Sequence, residues 1–202
     1  MLAVVFVGNS KRFPNKHFVE VKPGFRLIDL ILDSLRSAGL DILVFSKVNF
    51  NCSFPILEDK KEWIIPSFIY LFEELSKMGI REFLAVAGDM PLISRESVNF
   101  LLGSSSEDFF ALVPRWHNGW VEPLFALYRI EFLELLKESF RSGIRSLQAV
   151  IRRSHFVKFI NAEDFPPYTF LNVNYVEDLY RLKEVISYFA FLREGDVSSQ
   201  VL

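Results

Sequence analysis

The sequence predicts an open α/β fold, a mostly parallel sheet with helices on both faces. Two observations carry this. Short, continuous runs of β-branched and other apolar residues recur along the chain, as expected of strands buried on both faces. Between them, apolar residues recur at helical spacing. The composition agrees: 202 residues, 50% apolar and 24% charged, suffice for one folded core. No internal repeat or low-complexity linker divides the chain. One domain over residues 1–190 is expected, followed by a frayed tail, 191–202.

Taken in order, Leu2–Val7 is the first buried strand, ended by Gly8. Residues 9–18 are polar and basic with Pro14 inside, and read as a loop. Leu27, Ile28, Ile31, Leu32 and Leu35 mark a helix, with Gly39 where its C-terminal cap would fall. Strands follow at 42–45 and 54–57. Phe68, Ile69, Phe72, Leu75 and Met78 mark a second helix between Pro66 and Gly79. Residues 83–87 form a central strand running into Gly88-Asp89-Met90-Pro91, and Ser94 caps a helix through Leu102. The second half is less regular. Strands are expected at 109–113, 121–128, 156–160 and 170–173, with helices at 130–140, 146–153 and 175–189.

A net charge of −2 gives no electrostatic footprint for nucleic acid. No stretch approaches the ~20 apolar residues that span a bilayer, and the apolar start lacks a basic flank and a cleavage site. A single cysteine, Cys52, makes no intramolecular disulfide and favours a reducing compartment, so a cytoplasmic location is expected. His17, His117 and His155 show no metal-ligand spacing and read as surface or partly buried side chains.

In open α/β sheets, ligands gather at the carboxyl ends of the strands, so the segments directly after strands are informative. Four stand out. Gly8-Asn9-Ser10-Lys11-Arg12 with Lys16 is either a phosphate-binding loop or a solvated basic loop. Asp89 is either a ligand for a hard cation such as Mg2+ or a turn-forming carboxylate. In Asn172-Val173-Asn174, a strand would aim both amides to one side; capping of the next helix explains Asn174 and leaves Asn172 over. Asp59, at another expected strand end, is either a base or ribose contact or an exposed acidic turn.

Together these segments resemble the molybdenum cofactor guanylyltransferase (MobA) family, within the MobA-like NTP transferases. The family's L-A-G-G-x-S-x-R-M-G-x-x-K corresponds to Phe6-Val7-Gly8-Asn9-Ser10-Lys11-Arg12-Phe13-Pro14-Asn15-Lys16, with the double glycine reduced to Gly8-Asn9. Its C-D-M-P-F-L is Gly88-Asp89-Met90-Pro91-Leu92-Ile93, and its P-L-x-A-L-Y is Pro123-Leu124-Phe125-Ala126-Leu127-Tyr128. Its F-x-N-x-N-T-P-E-D-L is the segment beginning Phe170-Leu171-Asn172-Val173-Asn174. The resemblance implies a three-layer Rossmann-like nucleotidyltransferase domain using Mg2+ held by Asp89. It implies GMP transfer from GTP to the terminal phosphate of Mo-molybdopterin, releasing pyrophosphate. Lys16 and Arg12 would neutralise phosphate charge. Phe6, Val7 and Gly8 would offer backbone contacts to the nucleoside, and Asp59 a base or sugar contact. Asn172 and Asn174 would face the acceptor or complete the metal shell. A sister enzyme acting on another phosphorylated acceptor, and a nucleotide-binding protein without turnover, are the alternatives.

Overall fold

The computed structural model describes residues 1–105 and 108–198. Among them, seven strands form one sheet in the order β5-β4-β1-β6-β8-β7-β9. These are β1 (Leu2–Val7), β4 (Asp41–Ser46), β5 (Ile56–Glu58), β6 (Glu82–Ala87), β7 (Ala111–Arg115), β8 (Phe125–Arg129) and β9 (Val157–Asn161). A two-stranded hairpin, β2 (Glu20–Lys22) and β3 (Phe25–Arg26), lies outside the sheet. Only β8 runs against its neighbours, β6 and β7; the other pairs are parallel.

β1 is central because it is apolar throughout and pairs on both edges, with β4 and with β6. Its side chains alternate between two cores. Ala3, Val5 and Val7 face the layer of α1 (Leu27–Ser37), α3 (Arg95–Gly103) and α6 (Val176–Ser198). Val4 and Phe6 face α2 (Ile64–Lys77), α4 (Phe132–Arg141) and α5 (Leu147–Arg153). This is the sandwich of helix, sheet and helix that the strand–helix alternation predicts. The second core is strongly aromatic: Phe68, Phe72, Phe83, Tyr128 and Phe132 interlock with ring centroids 5.0 to 6.2 Å apart. Tyr128 has no exposure, and its hydroxyl donates to the Pro123 carbonyl at 2.9 Å.

The helices follow their local signals. The expected apolar stripe of α1 is its buried face, and Gly39 takes φ +78° just past its end, where a side chain would be strained. Ser94 and Ser97 cap α3 reciprocally, each hydroxyl accepting from the other's backbone N–H. α2 begins two positions before Pro66, and Met78, expected on its apolar stripe, is exposed.

Four expectations need correction. The strand expected at 121–128 forms only from Phe125, with an isolated bridge between Val121 and Arg115 before it. Residues 170–173 form no strand. Their backbone is drawn into turns instead, with Tyr168 at φ +66° and the Leu171 N–H on the Tyr168 carbonyl. Only the Val173 N–H reaches past the sheet, to the Asp89 carbonyl at 2.9 Å. The expected loop at 9–18 closes in a turn of 3-10 helix, Lys16–Phe18, that buries Lys16 and His17. Finally, α6 runs to Ser198, past the expected end at Phe189 and through most of the expected tail; residues 199–202 lie outside the described residues.

The connection leaving β1 goes to β4 on one side, whereas the chain leaving β6 goes to β7 and β8 on the other. The carboxyl ends of β1 and β6 therefore flank the point where the winding reverses, which is where open α/β sheets leave a crevice.

Candidate active site

A cleft of about 380 Å3 opens at that point. Phe6, Val7, Gly8, Arg12, Lys16, Asp59, Asp89 and Asn174 all line it. Asn172 does not.

Lys16 is 4% exposed. A buried ammonium needs an acceptor for each of its three protons. Nζ finds them in Asp89 Oδ2 at 2.5 Å, the Val173 carbonyl at 2.7 Å and Asn174 Oδ1 at 2.9 Å. The three acceptors come from the end of β6 and the segment before α6. One side chain thus ties the loop after β1 to the end of β6 and to the segment before α6 at the cleft floor. The Asp89 side chain is one-fifth exposed, and its Oδ1 makes no hydrogen bond among the described residues.

His17 sits beside this lock, 4% exposed, with Nδ1 2.6 Å from the Gly88 carbonyl. A carbonyl only accepts, so Nδ1 carries the proton. Burial pushes the imidazole below its ordinary pKa, against the raising influence of that carbonyl and of Asp89. Gly88 is held from both sides. Its N–H donates to the Phe6 carbonyl at 2.8 Å. A Cβ there would lie 2.7 Å from that same oxygen and 3.2 Å from His17 Nδ1. Gly8, by contrast, meets nothing within 4 Å, and its open side belongs to the cleft.

The backbone after β1 is partly engaged. The Phe6 carbonyl accepts from Gly88 and the Val7 carbonyl from Lys47, so each keeps one lone pair. Arg12 is exposed, with its guanidinium 5.7 Å from the ring centre of Tyr175. Asp59 is not an exposed turn: it is 7% exposed, paired with Lys47 Nζ at 2.9 Å and accepting from the Lys61 N–H at 2.9 Å.

The two asparagines part because no strand forms there. Asn174 points into the cleft, onto Lys16. Asn172 lines a neighbouring cleft of about 500 Å3 with Trp116, Phe170 and Arg181, its Nδ2 donating to the Phe170 carbonyl at 3.1 Å. Capping of α6 falls to Asp178, whose Oδ2 accepts from the N–H groups of Asn174 and Tyr175, both at 2.8 Å. That frees the Asn174 amide for Lys16.

Two residues of the cleft lining, Lys47 and His17, and one buried carboxylate outside that lining, Glu122, were not singled out from the sequence. Lys47 directly follows β4, so the strand-end rule reaches it. His17 is placed by its neighbour Lys16. Glu122, 9% exposed, accepts from Trp116 Nε1 at 2.7 Å; burial raises its pKa against that bond, and the charge of Asp89 adds to the rise. Its only sequence signal is adjacency to Pro123-Leu124.

A crevice at a winding reversal, with a buried lysine joined to a strand-end carboxylate, is where an open α/β sheet binds its ligand. The family model for the MobA-like NTP transferase domain matches residues 3–158, and the chain belongs to that family. It is 33% identical over 189 residues to the probable molybdenum cofactor guanylyltransferase of Pyrococcus horikoshii, covering 88% of this chain and 96% of that one. The protein of the same description from Pyrococcus furiosus is 31% identical over 199 residues, covering 93% and 98%. Among solved structures, molybdopterin-guanine dinucleotide biosynthesis protein A from Archaeoglobus fulgidus superposes with a TM-score of 0.74 at 22% identity. It covers 93% of this chain and all of that one.

Proposed function

We propose that this chain transfers GMP from GTP to the terminal phosphate of Mo-molybdopterin, giving the guanine dinucleotide and pyrophosphate. The carrying observation is the Lys16–Asp89–Asn174 lock at the floor of the cleft, in a chain similar over most of its length to guanylyltransferases. An acceptor phosphate oxygen forms the new bond to the α-phosphorus, and the bond to the β-phosphate oxygen breaks. The nucleophile is already ionised, so no general base is required; the protein's contribution is position and charge.

Lys16, whose three protons are held by protein oxygens, lends its charge to the phosphates from the cleft floor, and Arg12 adds a second positive group from the loop. Backbone groups of Phe6, Val7 and Gly8 contact the nucleoside, and Asp59 contacts the base or ribose. The donor set fits Mg2+, which takes one or two carboxylates together with substrate phosphates. Asp89 Oδ1 makes no hydrogen bond among the described residues, and the Asn174 amide oxygen sits on the same ammonium as Asp89 Oδ2. Asp89 would hold the ion, with Asn174 beside it, and the ion would supply further charge neutralisation at the phosphates. Asn172 and its aromatic-edged cleft lie across the 172–174 segment and suit the acceptor. No described helix is long and apolar enough to cross a membrane. The reaction is assigned to the cytoplasm, where nucleoside triphosphates are supplied.

The test is pyrophosphate release across four NTPs with and without molybdopterin. Release that requires both GTP and molybdopterin is expected. Release with a different phosphorylated acceptor, and none with molybdopterin, overturns the acceptor assignment.

A further inference from the structure

The end of the cleft away from Lys16 carries a second ion pair that phosphate chemistry leaves unexplained. β4 and β5 are parallel neighbours with Ser46 opposite Glu58, so the next residues, Lys47 and Asp59, leave the sheet side by side. Both are fixed by their backbones. The Asp59 N–H donates to the Ser46 carbonyl at 2.7 Å and the Lys47 N–H to the Val7 carbonyl at 2.9 Å. Their side chains meet at 2.9 Å on the cleft wall, with 4% of the carboxylate side and 30% of the lysine side exposed. Lys47 Nζ also donates to the Lys61 carbonyl. Its remaining contact, to Ser67 Oγ, is long at 3.5 Å, so one N–H is weakly held and can be recruited.

We propose that Lys47 is a specificity-determining residue, forming with Asp59 one donor-acceptor-acceptor edge that reads guanine. This rests on the guanylyl reading above and deepens it. Guanine presents O6 as an acceptor, then N1–H and the N2 amine as donors. The ammonium donates to O6, and the two carboxylate oxygens, each with a spare lone pair, accept from N1–H and N2–H. Adenine reverses both terms: its N6 amine faces the ammonium and its bare N1 faces the carboxylate. A site built to pair rejects such a ligand because its own groups are left unpaired. The Asp59–Lys47 pair also holds the carboxylate in place before the base arrives, so little ordering is left to binding.

Calorimetric titration with GTP, ITP (which lacks the N2 amine), 2-aminopurine ribonucleoside triphosphate (which lacks O6 and the N1 proton but keeps the N2 amine) and ATP separates the contacts. Lys47→Met should weaken GTP and ITP alike, by about tenfold or more, and leave the 2-aminopurine nucleotide within about twofold. Asp59→Asn should weaken GTP more than ITP. Should Lys47→Met fail to fold with Asp59 left unpaired, the neutral Lys47→Met/Asp59→Asn double variant should bind GTP, ITP and ATP equally. Equal loss for all four nucleotides in Lys47→Met would make Lys47 a general charge and overturn the proposal. If wild type prefers GTP and Lys47→Met keeps that preference, this proposal alone fails. A wild type with no preference for GTP overturns the guanylyl reading as well.

Discussion

Lys16 and Asp89 each serve folding and chemistry, and their variants separate the two. Asp89→Asn keeps volume and leaves Lys16 with the Val173 and Asn174 oxygens. Turnover should fall by roughly 100-fold or more, in line with loss of one preorganised charge, while circular dichroism stays native. Full activity in a folded Asp89→Asn protein would remove that carboxylate from the reaction. Lys16→Ala does more, because it leaves three oxygens facing an empty site. Breaking a buried pair costs about 3–5 kcal/mol, and the partial exposure of Asp89 places the expected loss at the low end. GTP affinity should also drop, and GMP affinity less, since the charge of Lys16 has less phosphate to neutralise once the β- and γ-phosphates are absent. Equal losses for GTP and GMP, measured by calorimetry on the folded fraction, would take Lys16 away from the phosphates.

The elements were legible where one physical signal dominated. β1, β4, β6, α1 and α3 lie close to where apolar runs, helical spacing and the Ser94 cap put them. The 170–173 stretch was misread because a run of Phe, Leu and Val is also what a turn packed into the core looks like. Phe170 meets Phe125 and Trp116 edge-on, a contact between distant segments that no local pattern records. The same limit hid His17, whose partner Gly88 lies far along the chain. Gly88 gives the sharpest test at this scale. Gly88→Ala puts a methyl group 2.7 Å from the Phe6 carbonyl, so β1 and the Gly88-Asp89 turn must separate. A loss of about 1–3 kcal/mol is expected, with turnover falling as Asp89 shifts. Gly8→Ala meets no protein atom and should leave stability nearly unchanged. Equal melting temperatures for wild type and Gly88→Ala would show that the strand ends are not packed this tightly.

For the whole molecule, the buried ionisable groups in and around the crevice should govern stability against pH. Glu122 is the informative one, because its folded pKa is raised by burial, with Asp89 adding to the rise. A carboxyl raised on folding binds its proton more tightly in the native state than in the unfolded chain. Its favourable contribution is therefore complete below the unfolded pKa of about 4.5 and is lost as pH rises through the folded value. His17 runs the other way. Its folded pKa is lowered, so its neutral form favours the native state above the ordinary imidazole range, and that support is lost as the pH falls. Glu122→Gln isolates the first effect, since the amide oxygen still accepts from Trp116 Nε1 and carries no charge toward Asp89. The variant should melt higher than wild type at pH 7, and the difference should close as pH falls toward 4. His17 is common to both proteins and cancels in the comparison. A difference in melting temperature that is the same at both pH values would mean that Glu122 gains no proton on folding, and that its carboxylate is satisfied as an anion beside Asp89.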